Sequence, residues 1–133
     1  MKIINRDTDF AVQALMYIAS SEKESVTARE LKDNLKLPYH FLRKILQNLQ
    51  KNGLLKSTKG KVGGFQLNRK TDEIFLPEVI KIFQGDITIN ECILKNKKCK
   101  NYETCRIRRS LSKVEEKLLN ELNEITINKL VTA

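Results

Sequence analysis

The sequence predicts a mainly α-helical fold with a small β-hairpin wing: a winged helix-turn-helix followed by a long C-terminal dimerisation helix. Three observations carry that prediction. Apolar residues recur at steps of three and four through most of the chain. The turn KGKVGG lies between two runs of alternating character, directly after the third helical segment. From Thr104 to Leu130 there is neither proline nor glycine. At 133 residues, 41% hydrophobic, the chain can close one modest core with an appendage but not two full domains. The expected division is a winged helix-turn-helix over residues 1–85, a cysteine-containing loop over 86–106, and a dimerisation helix and tail over 107–133.

The first helix is expected in TDFAVQALMYIAS, where Phe10, Ala14, Leu15 and Ile18 share a face and Thr8 can cap the start. A second, from about 27 to 35, opens with Thr27 and has Glu30 three residues on, the reciprocal pairing that satisfies free amides at a helix start. After LKLPY, the segment Tyr39 to Asn52 buries Leu42, Ile45, Leu46 and Leu49, and Gly53 suits a left-handed cap. Its opposite side presents His40, Arg43, Lys44, Gln47 and Lys51, all donors or charge.

Two short helices with such a face on the second match the geometry that lays a recognition helix in the major groove; a merely solvated face is the bland alternative. A hairpin directly after them is a wing. Lys59 and Lys61 beside glycines at its tip could come close to phosphates or a narrow minor groove. Thr27 and Tyr39, at the helix starts, join His40, Arg43, Lys44, Gln47, Lys59 and Lys61 in the expected DNA-contacting set. Further on, LPEVIKIFQGD reads as a packing helix with Pro77 at its first position and Gly85 as its stop. In the tail, Ile107, Leu111, Val114, Leu118, Leu122 and Ile125 form one apolar seam, so a single long helix is expected to pair with its equivalent in a homodimer. A helix folded back on its own domain is the alternative.

The net charge of +9 is uneven. Residues 1–70 carry 14 basic against 6 acidic side chains and residues 91–109 carry 7 against 2, which favours double-stranded DNA as a polyanionic partner. No apolar run approaches the roughly 18 residues of a membrane span, and Asp7 and Asp9 stand where a signal peptide would be basic. A soluble, cytoplasmic protein with no membrane partner is expected. No nucleophile–base set, paired-carboxylate motif or nucleotide fingerprint points to an enzyme.

Cys92, Cys99 and Cys105 are separated by six and then five residues, a poor fit to ordinary zinc spacing. Loop-like intervals let three thiolates converge on something larger than one ion, as in iron–sulfur clusters. The surrounding Lys95, Lys97, Lys98, Lys100, Arg106, Arg108 and Arg109 would favour thiolates and offset an anionic cluster, or equally contact DNA backbone. Structural zinc, or no metal, is the competing reading.

The N-terminal TDFAVQALMYIA, the region LPYHFLRKILQNLQKNGLL, the glycine-containing wing and the cysteine triplet, in that order, resemble the IscR/NsrR family of bacterial iron–sulfur transcription regulators over nearly the whole chain. That resemblance implies a regulator, expected to be a repressor, whose operator affinity follows a cluster held by Cys92, Cys99 and Cys105. The implied signals are nitric oxide, redox state or iron–sulfur supply. In the histidine-using branch the fourth ligand lies three residues after the last cysteine, where this chain has Arg108. The only histidine, His40, faces the expected DNA side. In the nitric-oxide-sensing branch an aspartate from the partner subunit completes the site, and Asp9 is at the matching place, which favours a 4Fe-4S over a 2Fe-2S cluster. A carboxylate stabilising the helix N-terminus is the alternative role for Asp9, and Asp7, Glu91 and Glu103 are less favoured donors.

Overall fold

A computed structural model describes residues 2–60, 63–89 and 100–133. Helix α1 spans Arg6–Ser20, α2 Ala28–Leu35 and α3 Tyr39–Lys51. Strands β1, Leu55–Thr58, and β2, Gly64–Leu67, pair antiparallel with Leu55 opposite Leu67 and Thr58 opposite Gly64. Helix α4, Leu76–Gln84, follows a short 3-10 turn, and helices α5, Arg106–Asn123, and α6, Ile127–Thr132, close the chain. No helix among the described residues is long and apolar enough to cross a membrane.

The core forms where the apolar faces converge on α1, whose Ala11, Ala14 and Leu15 are fully buried. α1 packs against α2, α3, α4, β2 and α6. On α3 the buried set is Leu42, Ile45, Leu46 and Leu49, the stripe its 3.6-residue period selects. Gly53, at φ 80°, lets the chain reverse after α3 while Leu54 N–H bonds to Leu49 O at 3.0 Å.

The structure corrects four local expectations. α1 begins two residues before Thr8, at Arg6: Asn5 is the cap, its side chain accepting from Thr8 N–H at 2.8 Å. Thr8 is instead buried inside the first turn, and its hydroxyl donates to Gln84 Oε1 at 2.6 Å. The same oxygen accepts from Asn5 N–H at 2.8 Å, so a residue of α4 holds the start of α1. Thr27 caps α2 by accepting from Glu30 N–H at 3.0 Å. The Glu30 carboxylate, however, is taken by Tyr17 Oη and Lys23 Nζ, each at 3.0 Å. Pro77 is the second helical residue of α4, not the first.

The fourth correction is the largest. The expected single helix from Thr104 to Leu130 is two, broken between Asn123 and Ile127. Leu76 N–H bonds to Ile125 O at 2.9 Å and Ile127 N–H to Ile74 O at 3.0 Å, and Phe75 forms an antiparallel bridge with Thr126. These bonds require extended backbone at Thr126, which the helix could not supply. Thr126 then caps α6 by accepting from Lys129 N–H at 3.2 Å. Ile127 is fully buried and Leu122 nearly so, so the end of the tail folds back on its own domain.

Candidate functional site

Residues Lys36 to Pro38 make the turn between α2 and α3, with Lys36 left-handed at φ 55° and Leu37 buried beneath it. The extended Pro38 then starts α3. This turn leaves one long side of α3 in solvent: Tyr39, His40, Arg43, Lys44, Gln47 and Lys51 are all exposed. Among the described residues no ion pair engages Arg43, Lys44 or Lys59. The Arg43 guanidinium lies over the Tyr39 ring, 5.8 Å from its centroid. At its N-terminal end α3 is anchored to α1, with Phe41 edge-on to Phe10 at 5.8 Å and beneath the Arg6 guanidinium at 5.0 Å.

The hairpin is also fixed to the segment before α2 and to α3. Val26 N–H bonds to Phe65 O at 3.0 Å and Phe65 N–H to Val26 O at 2.7 Å, which adds a one-residue third strand just before α2. Thr58 Oγ1 accepts from Gly64 N–H at 3.0 Å and donates to Ser25 Oγ at 3.1 Å. Gln50 of α3 donates to Ser57 of β1 at 3.2 Å. Lys59 is exposed at the hairpin end; Lys61 lies outside the described residues. A Cβ on Gly64 would sit 2.5 Å from Val26 O, so this glycine serves packing inside the protein. Thr27 is half-buried, with its hydroxyl oxygen accepting at the α2 cap.

Of the cysteines, Cys92 and Cys99 lie outside the described residues. Cys105 is half-buried and is the N-cap residue of α5, where its side chain makes no capping bond. The first turn of α5 has no acidic residue. The turn before it is instead held by two arginines: Arg108 stacks on the Tyr102 ring at 4.1 Å and donates to Tyr102 O, and Arg109 donates to Glu103 O at 3.0 Å. Arg108 is therefore committed to the loop backbone. These contacts are not visible in the sequence, although Tyr102 six residues before Arg108 could have suggested the stacking. Asp9 is exposed in the first turn of α1, and its Oδ2 accepts from Gln13 Nε2 at 3.2 Å. No group of three or more His, Cys, Asp or Glu able to hold a metal occurs among the described residues. Cys105, whose side chain makes no capping bond, offers a soft sulfur donor of the kind that iron–sulfur chemistry uses.

Residues 4–133 match the model of the Rrf2 family, described as an iron-dependent transcriptional regulator. The chain is 28% identical over 126 residues to the HTH-type transcriptional regulator NsrR of Shouchella clausii, covering 93% of this chain and 85% of that protein. It is 30% identical over 131 residues to Protein aau3 of Rhizobium meliloti, covering 98% and 85%. Among solved structures, CymR, the global cysteine regulator of B. subtilis, superposes with a TM-score of 0.78 at 20% identity, covering 99% of this chain and 98% of that one. IscR of T. potens does so with a TM-score of 0.77 at 21% identity, covering 99% and 87%.

Proposed function

The chain belongs to the Rrf2 family of iron-dependent transcriptional regulators, and from that premise we propose that it is a homodimeric repressor whose grip on operator DNA is set by an iron–sulfur cluster. It is a winged-helix transcriptional regulator and not an enzyme, as its relatives and fold neighbours are. The finer reading is carried by one observation: α5 is preceded directly by Cys105 at its cap and reaches the core of the winged helix through Leu122, beyond which Ile127 of α6 is buried too. A helix of 18 residues is about 27 Å of stiff connection, so a change at its cysteine end reaches the domain that holds α3.

In this reading Cys92, Cys99 and Cys105 hold the cluster, and Asp9 of the partner subunit supplies the fourth donor. When bound, the cluster supplies an iron with one weakly held ligand, open to nitric oxide or oxygen, and 4Fe-4S is favoured over 2Fe-2S. Arg108 and Arg109 keep the Cys105 turn in one conformation by binding its carbonyls. The exposed Ile107 and Val114 on α5 form the strip that a second copy of the chain covers. Arg43, Lys44, His40, Gln47 and Tyr39 face the major groove, while Lys59, Lys61 and Thr27 contact the backbone. The fold shared with CymR, a cysteine regulator, favours a second reading in which the same scaffold responds without a cluster.

Anaerobic purification followed by iron and sulfide counting separates the two. Near-stoichiometric iron and sulfide that vanish in Cys105→Ala, with an altered spectrum in Asp9→Ala, are the expected results. Colourless protein that resists reconstitution yet footprints its operator normally would leave only the cluster-free reading. An Asp9→Ala spectrum equal to that of the wild type removes Asp9 from the site.

A further inference from the structure

The exposed face of α3 is not uniform, and its asymmetry points to one base pair. Tyr39 is the first residue of the helix, and Arg43 is one turn later on the same side. Tyr39 is 45% exposed, so its ring is not held there by core packing. What it contacts is the Arg43 guanidinium, at 5.8 Å from ring centroid to guanidinium carbon. Among the described residues Lys44, the next cation on that face, has no comparable ring beneath it. No ion pair among the described residues draws Arg43 away, and the first turn of α3 carries no acid.

Physical chemistry gives this pair a specific use. A guanidinium is a planar fork of donors, and a ring face beneath it restricts the side-chain freedom that base contact would otherwise have to remove. In the major groove such a fork matches the O6 and N7 acceptors of guanine, and no other base offers two acceptors in that arrangement. Lys44, a point charge on a flexible stem, suits a phosphate better. We propose that Arg43, preset by Tyr39, reads one guanine in each operator half-site and is the main determinant of base preference on α3. The proposal rests on the DNA-binding reading above and goes beyond it by assigning the base, the residue and the positioning partner.

The test is selection from a randomised duplex pool with anaerobically prepared wild type, Arg43→Lys, Tyr39→Phe and Tyr39→Leu, each checked for native helicity by circular dichroism. The wild-type consensus should contain one guanine per half-site at which 7-deazaguanine, lacking N7, weakens binding by about 5-fold or more; losing the whole bidentate contact should cost about 5- to 150-fold. Arg43→Lys should lose preference at that position only. Tyr39→Phe should keep the preference and Tyr39→Leu weaken it at the same position, since the ring face and not the hydroxyl does the positioning. If Arg43→Lys weakens all sequences equally and leaves the consensus intact, Arg43 is a phosphate contact and the proposal is overturned while the regulator reading stands. Failure of wild type to enrich any sequence would overturn both.

Discussion

Gly64 illustrates how much one missing methyl can decide. Its Cα lies against the Val26 peptide, and an added Cβ would meet backbone carbonyl and not a side chain that can move away. Gly64→Ala must therefore displace either the bridge to Val26 or the hairpin register, at a cost of roughly 1–3 kcal/mol. Chemical denaturation should record that loss, and operator affinity should fall with it because the hairpin is what carries Lys59. Glu30 is the other residue whose surroundings set its behaviour. The Lys23 ammonium, by hydrogen bond, holds its carboxyl below the ordinary 4.5, with a smaller contribution in the same direction from the Tyr17 hydroxyl against the opposing effect of burial. Tyr17 is in turn raised from 10.0, first by its hydrogen bond to Glu30. A lowered folded value means that the stabilisation from Glu30 is complete above 4.5 and is lost as pH falls through the folded value. Urea midpoints measured from neutral pH down to about pH 3 should fall less steeply for Glu30→Gln than for wild type.

At the level of elements, the tail is divided into α5 and α6, and its apolar residues have two destinations. Leu122 and Ile127 enter the core, whereas Ile107 is 70% and Val114 54% exposed. Those two fates predict different mutant behaviour. Val114→Glu should leave the circular dichroism spectrum native and weaken self-association by about tenfold or more, given that burying a valine is worth about 1.5 kcal/mol or more. Sedimentation equilibrium would measure it, and an unchanged dimer constant would place the interface elsewhere. The same division explains why α6 can be only six residues long: its hydrogen-bonded cap at Thr126 and its packing on α1 replace the propagation that so short a helix lacks.

Across the whole molecule, α5 runs from the Cys105 cap to the core of the winged helix, and in the proposed function the coupling of a cluster to DNA is a difference in affinity between two states. A cluster that changes operator affinity 100-fold would supply about 2.7 kcal/mol of coupling. DNA affinity itself should depend steeply on salt, because the cations of α3 and the hairpin have no acidic partners among the described residues. Lys59→Ala should lower the slope of log affinity against log salt by about 0.9, the share of one phosphate. If slope and affinity are both unchanged, Lys59 does not touch DNA.

The features that the sequence pattern determined are those set by local period and local chemistry. The four leucine and isoleucine residues buried on α3, the polar face opposite them and the two-stranded hairpin all follow from side-chain alternation, which any stretch of chain displays before it folds. The exposed candidate DNA residues were legible for the same reason. Only the tertiary structure decided that Asn5 and not Thr8 caps α1, that Glu30 serves Tyr17 and Lys23, that Gly64 faces Val26, and that the tail breaks at Thr126. These outcomes depend on groups distant in sequence meeting, as when Gln84 holds Asn5 and Thr8, Tyr17 reaches Glu30, Val26 abuts Gly64 and Ile125 pairs with Leu76. Such a meeting leaves no periodic trace in the residues on either side of it.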